Sequence, residues 1–155
     1  MDADPESMVD ARRSQSIATA MRFLTRLGAG ALDDDDVSPD FEAWSISSGT
    51  ITRHAYLARM PVFAAIFRSP LVFSVSDMVI EGPKIALRAR SEGMLFNGAI
   101  YSNDYMFLME LDLHGKVRRF HEYYDRRPAE EILYPARRDW VENHGGASPE
   151  PGLRS

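Results

Sequence analysis

The stretch that decides the fold is FNGAIYSNDYMFLMELDLHGKVRRFHEYYD, residues 96–125. Apolar and polar side chains alternate along residues 99–110 and again along residues 117–124, and a period of two is typical of β-strands with one buried face. Between them lie the turn residues 112–115, Asp-Leu-His-Gly. A parallel pair would need a crossover of about a dozen residues or more, so the two predicted strands must be antiparallel neighbours.

Two further strands are predicted upstream of this pair. The same alternation covers residues 71–80 and 85–90. Turn chemistry breaks the chain after each of them, at residues 81–83 (Glu-Gly-Pro) and 91–93 (Ser-Glu-Gly). With such short connections, all four strands form one antiparallel meander.

Helical spacing of apolar residues precedes the strands. The first predicted helix covers residues 8–27 and ends at Gly28. The second covers residues 53–67, with Thr52 as its N-cap. Residues 39–47 are interpreted as a short segment between the two helices. Helices followed by a meander predict the α+β class.

The predicted domain is a single one, residues 9–143, which is an ordinary size for one hydrophobic core. Residues 128–143 are expected to form a C-terminal helix or an extended arm. The polar residues 1–8 and the Gly-, Pro- and Ser-rich residues 144–155 are expected to be disordered.

Composition excludes several classes of function. The chain has no cysteine, which rules out disulfides, thiolate catalysis and cysteine-based zinc sites. Its net charge of −5 argues against a nucleic-acid partner, because no basic surplus is available to neutralise phosphates. Neither a secretory signal nor an apolar run long enough to cross a membrane is seen, so a cytoplasmic protein without a membrane partner is expected.

The segment 96–125 resembles the last two long strands of the nuclear transport factor 2-like superfamily, which includes ketosteroid isomerase and the SnoaL-like polyketide cyclases. An Asn-Gly turn, a long strand, an acidic turn with Gly-Lys and a closing aromatic-aromatic-Asp carry the resemblance. It implies a cone-shaped, strongly curved antiparallel sheet wrapped around the N-terminal helices, with a cavity inside. It also implies a homodimer that forms through the convex side of the sheet.

Glu122 is the first candidate for catalysis. It shares a strand face with Phe120 and Tyr124. By resemblance to limonene epoxide hydrolase, a member of the superfamily, that face looks into the cavity. A lone ionised carboxylate buried there would cost several kcal/mol, so Glu122 would have to be paired or neutral. The alternative is that Glu122 lies on a solvated face.

Arg88 is the candidate partner of Glu122, because the resemblance puts it at the hydrolase's pocket arginine. Alternation along residues 85–90 instead puts Arg88 on the outside of the sheet, and the sequence leaves both readings open. Arg90 stands where the hydrolase has a second acid, so epoxide hydrolysis by the acid–arginine–acid triad is not expected.

The ketosteroid isomerase residues are missing as well. Phe107 stands where that enzyme has its oxyanion-binding Asp, and Phe23 lies about where it has a Tyr. The position of its base falls near Ala43 or Trp44. Steroid isomerisation by those residues is therefore not expected.

Four other polar residues complete the candidate catalytic set. Asn103 and Tyr105 share a strand face and could donate hydrogen bonds to a substrate oxygen. Asp40 and His54, both expected near the cavity mouth, could form a proton-transfer pair. The alternatives are a Tyr105 in the core, an Asp40 that caps a helix and a solvent-exposed His54.

The predicted function is a cofactor-independent isomerase, cyclase or lyase that performs acid–base chemistry on a small, largely apolar ring compound. No metal site is predicted, because the four histidines are scattered along the chain. The alternative function is a non-catalytic module for small-molecule binding or assembly. Convergent polar groups in the cavity would favour the enzyme. The candidate substrate-binding residues are Trp44, Tyr56, Met60, Phe63, Phe107, Phe120 and Tyr124.

Overall fold

The computed structural model describes residues 4–145. Its elements in chain order are α1 (Pro5–Gly28), β1 (Val37–Ser45), β2 (Gly49–Thr52), α2 (Arg53–Ala58), α3 (Met60–Ile66), β3 (Val72–Glu81), β4 (Lys84–Met94), β5 (Ile100–Leu111), β6 (Val117–Tyr124), α4 (Arg126–Pro128), a π-helical turn (Ala129–Leu133) and α5 (Tyr134–His144). The α+β class is confirmed.

The six strands form one sheet in the order β2-β1-β6-β5-β4-β3. The predicted meander is confirmed, because β3 to β6 pair antiparallel in sequence order. The turn predicted at residues 91–93 is wrong, because β4 continues through them to Met94 and pairs with β5 along its whole length. The segment 39–47 proves to be part of a strand, β1, which forms a hairpin with β2 and pairs in parallel with β6. The sheet is therefore mixed, with one parallel pair. Register irregularities within β1, β3 and β5 bend it.

The helix predicted over residues 53–67 is two short helices. Thr52 caps α2 as predicted, accepting a hydrogen bond from the backbone N–H of Ala55 at 3.2 Å. Pro61 explains the break, since it has no N–H and its ring displaces the carbonyl four residues before it. It is tolerated in the first turn of a new helix, where α3 begins.

The ends of the chain differ from the predicted boundaries. Helix α1 begins at Pro5, inside the segment predicted to be disordered, because Asp4 caps it and proline suits the first turn. The last helix runs to His144, and Gly145 ends it with a φ of +63°. Residues 1–3 and 146–155 of the predicted tails lie outside the described residues. No helix among residues 4–145 has the length and apolarity to cross a membrane.

The core lies between the helices and the inner face of the sheet. The ring of Phe23 on α1 packs edge-on against Phe120 on β6, with centroids 4.8 Å apart. At the end of α1 the backbone comes too close to the segment around Leu71 for any side chain, since a Cβ on Gly28 would lie 1.9 Å from the carbonyl oxygen of Leu71. The N–H of Leu71 donates to the Gly28 carbonyl at 2.9 Å, which fixes this crossing.

The C-terminal helix is widened by the π-helical turn, in which the N–H of Tyr134 donates to the carbonyl of Ala129, five residues back. Pro135 accounts for the position of the turn, because it cannot donate to Glu131 and its ring crowds that carbonyl. Beyond the turn, α5 packs against α3.

The outer face of the sheet alternates between apolar and charged rows. One cross-strand row joins Trp44, His121 and Leu108, and the ring of Trp44 also contacts exposed Tyr123, with centroids 4.8 Å apart. The adjacent row is charged, and Arg119 there lies 3.6 Å from Glu42. A continuous apolar strip thus crosses the outer face beside a line of ion pairs.

Candidate active site

A cavity of about 130 Å³ lies between the inner face of the sheet and the helices. Every layer of the molecule contributes to it, from the end of α1 to the C-terminal helix. Its lining residues are Leu27, Ser45, Tyr56, Arg59, Met60, Phe63, Ile66, Leu71, Phe73, Tyr101, Tyr105, Glu122, Tyr124, Ala129, Leu133, Tyr134 and Arg137.

Glu122 projects from β6 into this cavity, where the resemblance predicted it. Burial raises the pKa of its carboxyl group from the ordinary 4.5 to about 7, because the charged form loses hydration. The nearby guanidinium of Arg59 opposes this shift and lowers the pKa. Glu122 is therefore close to half ionised at neutral pH, which suits a group that must both take and return a proton.

Tyrosines form most of the polar lining around Glu122. The chain has six, and five of them line the cavity. Burial raises the pKa of Tyr101, Tyr105 and Tyr134, so these phenols keep their protons. The cavity therefore holds neutral O–H donors beside a titratable carboxyl group.

Two of these phenols belong to a buried hydrogen-bonded chain. The Oδ1 atom of Asn103 accepts from the N–H of Asp104, so its Nδ2 group is the donor that bonds the Tyr101 hydroxyl at 2.9 Å. At the other end, Ser91 Oγ donates to the Tyr105 hydroxyl at 3.1 Å. The two phenol oxygens lie 3.1 Å apart.

A count of protons shows what this chain offers to a ligand. Each phenol oxygen already accepts one hydrogen bond, from Asn103 or from Ser91. Tyr101 and Tyr105 share one further bond, which uses one of their two protons. Within this group of four residues, one phenol O–H remains to donate elsewhere, and both phenols line the cavity. Donors that accept other hydrogen bonds are polarised by them and bind a developing oxyanion more strongly.

A second phenol pair lies on the helical side. The hydroxyls of Tyr124 on β6 and Tyr134 on α5 are 2.7 Å apart. This bond ties the C-terminal helix to the end of the last strand and adds polar atoms to the lining.

Only some of the predicted catalytic residues line this cavity. Glu122 and Tyr105 line the cavity, whereas Asn103 is buried behind it and holds Tyr101 in place. Arg88 lies on the outer face, 3.7 Å from Asp77, so its predicted place in the pocket is wrong and the alternation was the better guide.

Asp40 and His54 are also outside this cavity. They line a separate shallow depression at the edge of the sheet, formed by β1, β2 and the start of α2. The Ser38 hydroxyl and then the guanidinium of Arg118 lower the pKa of Asp40, which makes its carboxylate a weak base. Their predicted position at the mouth of the cavity is therefore wrong.

The predicted substrate-binding residues divide into three groups. Tyr56, Met60, Phe63 and Tyr124 line the cavity. Phe107 and Phe120 are buried core residues, stacked with centroids 5.1 Å apart. Trp44 was placed wrongly, because β1 turns it to the outer face.

Five lining residues with polar side chains were missed: Ser45, Arg59, Tyr101, Tyr134 and Arg137. A signal existed for Arg59, since it lies three residues after Tyr56 and four before Phe63 on one helical stripe. Nothing in the local pattern shows that the C-terminal helix folds back over the cavity, so Tyr134 and Arg137 gave no comparable signal.

No protein-family model matches the chain, and no curated protein matches its sequence. Solved structures do match its fold. PrhC from Penicillium brasilianum is 17% identical, with a TM-score of 0.67 over 84% of this chain and 96% of PrhC. The BvnE pinacolase from Penicillium brevicompactum is 15% identical, with a TM-score of 0.67 over 84% of this chain and 98% of BvnE.

A candidate SnoaL-like polyketide cyclase from Jannaschia sp. CCS1 is 19% identical, with a TM-score of 0.62 over 84% of this chain and 94% of that protein. At these identities the similarity establishes the fold. The cone-shaped architecture expected from residues 96–125 is confirmed.

Proposed function

We propose that this chain, which has the nuclear transport factor 2-like fold, is a cofactor-independent enzyme that transfers protons within a small ring-containing molecule. An isomerase, cyclase or lyase step is the expected reaction type. The observation that carries the proposal is the position of Glu122, a carboxyl group with a pKa of about 7 in a cavity that also contains phenol donors.

The proposed step is an enolisation. The carboxylate of Glu122 takes a proton from the carbon next to a carbonyl group, and the electron pair of that C–H bond moves onto the carbonyl oxygen. The spare O–H of the Tyr101–Tyr105 pair donates to the resulting oxyanion. Glu122 then returns the proton to another carbon of the same molecule, which isomerises it without a net gain or loss of atoms.

Structural neighbours support an enzyme, since BvnE is a pinacolase and the Jannaschia protein is a candidate cyclase. Convergent polar groups also favour this function over the non-catalytic module, because Trp44 does not fill the cavity and Glu122 faces several phenols.

A simple ketone provides the test. Cyclohex-3-enone becomes the conjugated cyclohex-2-enone by the proposed proton transfer, and ultraviolet absorbance follows the conversion. We expect the protein to accelerate it, and Glu122→Gln to lower the rate constant about 100-fold or more. The double variant Tyr101→Phe/Tyr105→Phe, which removes both phenol protons, should lower it about 10-fold or more, whereas Tyr123→Phe on the outer face should not. An unchanged rate in Glu122→Gln would refute the proposal, and the non-catalytic binding module would then be the remaining function.

We propose in addition that the chain forms a homodimer through the outer face of its sheet. The apolar strip of Trp44, His121 and Leu108 supports this, because Leu108 remains 41% exposed and Tyr123 beside it 48%.

A further inference from the structure

We propose that the ring compound bound in this cavity carries two carbonyl oxygens, each held by one of the two phenol pairs. One oxygen accepts a hydrogen bond from the Tyr101–Tyr105 pair, and the other accepts from the Tyr124–Tyr134 pair. The substrate class is therefore a monocyclic diketone. This inference rests on the proposed function, since it names the substrate of the same cavity.

The number of phenol protons is the first argument. The hydroxyls of Tyr124 and Tyr134 lie 2.7 Å apart and share one hydrogen bond, which uses one of their two protons. One O–H of this pair therefore remains to donate elsewhere, as it does in the Tyr101–Tyr105 pair. All four residues line the cavity, so the two pairs together offer a ligand two hydrogen bonds.

The other polar groups nearby leave both protons available. A guanidinium has donors and no acceptor, so Arg59 and Arg137 cannot take a phenol proton, whatever contacts they make. Among residues 4–145, burial and Arg59 are what shift the pKa of Glu122, so its carboxyl group does not hold a phenol proton either. The Ser47 hydroxyl holds back the rise in the pKa of Tyr134, which is the effect of a donor, and within residues 4–145 its oxygen accepts no hydrogen bond.

A preference for carbonyl groups over hydroxyls is the second argument. Burial raises the pKa of Tyr101, Tyr105 and Tyr134, so the spare groups are neutral O–H donors at neutral pH. The Tyr101 and Tyr105 oxygens already accept from Asn103 and Ser91. A ligand hydroxyl would need a further acceptor for its own proton, and a buried donor without one weakens binding. A carbonyl oxygen only accepts, which suits this lining.

The position of the pairs is the third argument. Tyr105 and Tyr124 are directly opposite each other on β5 and β6, and their ring centroids are 5.9 Å apart. The first pair continues from Tyr105 along β5 to Tyr101, whereas the second crosses from Tyr124 to Tyr134 on α5. The pairs therefore adjoin, and their donors enter the cavity from different elements.

Size is the fourth argument. The cavity has a volume of about 130 Å³. A cavity of about 150 Å³ with apolar walls holds one benzene molecule, so a single ring fills this one and lies within reach of both pairs. The apolar wall against which the ring would pack is formed by Leu27, Met60, Phe63, Ile66, Leu71 and Phe73.

Cyclohexane-1,4-dione is the probe, because its oxygens lie on opposite carbons of one ring. Cyclohexanone, which lacks the second oxygen, and cyclohexane-1,4-diol, which has hydroxyls instead, are its matched controls. We expect isothermal titration calorimetry at pH 7 to show the dione binding about 10-fold more tightly than either control, because one more buried hydrogen bond is satisfied.

The double variant Tyr124→Phe/Tyr134→Phe removes both protons of the second pair. It should weaken binding of the dione about 10-fold and leave that of cyclohexanone within about twofold, because a single oxygen needs only the Tyr101–Tyr105 pair. Unchanged cyclohexanone binding also shows that the cavity of the variant is intact. Tyr123→Phe, on the outer face, should leave both affinities as they are.

Equal affinities of the parent protein for the dione and either control would overturn the inference. So would an equal loss of dione and cyclohexanone binding in the double variant. Glu122→Gln should still bind the dione, because binding needs no proton transfer. No preference for the dione with cyclohex-3-enone turnover intact would therefore reject only the substrate class, whereas the preference without turnover would reject only the enzyme.

Discussion

Replacing Glu122 with glutamine should change how the stability of the protein depends on pH. In the folded protein burial raises the pKa of Glu122 from 4.5 to about 7, so between these values the folded state holds a proton that the unfolded state has lost. The stability of the parent protein is therefore fully present below about pH 4.5 and falls as the pH rises through 7. Glutamine cannot ionise, so the variant does not lose this stability.

The expected size of the effect follows from that interval. At about 1.36 kcal/mol for each pH unit, the difference between 4.5 and about 7 corresponds to about 3 kcal/mol. The free energy of unfolding of Glu122→Gln should thus rise relative to the parent by about 3 kcal/mol between pH 4.5 and pH 8.5.

Urea denaturation followed by tryptophan fluorescence measures this difference at a series of pH values. Glu92→Gln, on the exposed outer face of β4, is the matched control and should follow the parent protein throughout. A difference between Glu122→Gln and the parent that stays constant within about 0.5 kcal/mol from pH 4.5 to 8.5 would show that Glu122 is not buried as described.

Two further predictions concern the fold and the assembly. Gly28→Ala should lower the free energy of unfolding, measured by urea denaturation, by about 3 kcal/mol, because the added Cβ would lie 1.9 Å from the Leu71 carbonyl oxygen. Unchanged stability would contradict the close approach of the end of α1 to Leu71. Leu108→Lys should convert a dimer into a monomer in sedimentation velocity, because it would bury a charge in the apolar strip. Lys84→Ala, in the charged row, should leave the dimer intact. A parent protein that is itself monomeric would refute the proposed dimer.

Local patterns predicted the meander well. The last strand matches its predicted bounds, the resemblance put Glu122 inside, and alternation put Arg88 outside. The error about Arg88 came from carrying over a relative's pocket position. Burial of residues 85, 87 and 89 left Arg88 no inward direction.

Long-range pairing could not be predicted. The parallel contact between β1 and β6 joins segments that are far apart in sequence, and it is this contact that turns Trp44 outward. Asp40 and His54 were expected near the cavity mouth for the same reason, since the sequence does not show that β1 and β2 extend the sheet and place both residues in a separate depression. The sequence pattern also gave no sign that the C-terminal helix folds back over the cavity.

The π-helical turn at Ala129–Leu133 makes the spacing along the C-terminal helix part of the site. Its i→i+5 hydrogen bond spans one residue more than the i→i+4 bond of an α-helix, so removing one residue from the turn would leave an ordinary α-helical turn and keep Tyr134 and Arg137 on the cavity side. Successive residues of an α-helix differ in direction by about 100°, so removing a residue between Tyr134 and Arg137 would instead rotate the rest of the helix by that angle. Arg137 would then leave the cavity although it had not been replaced.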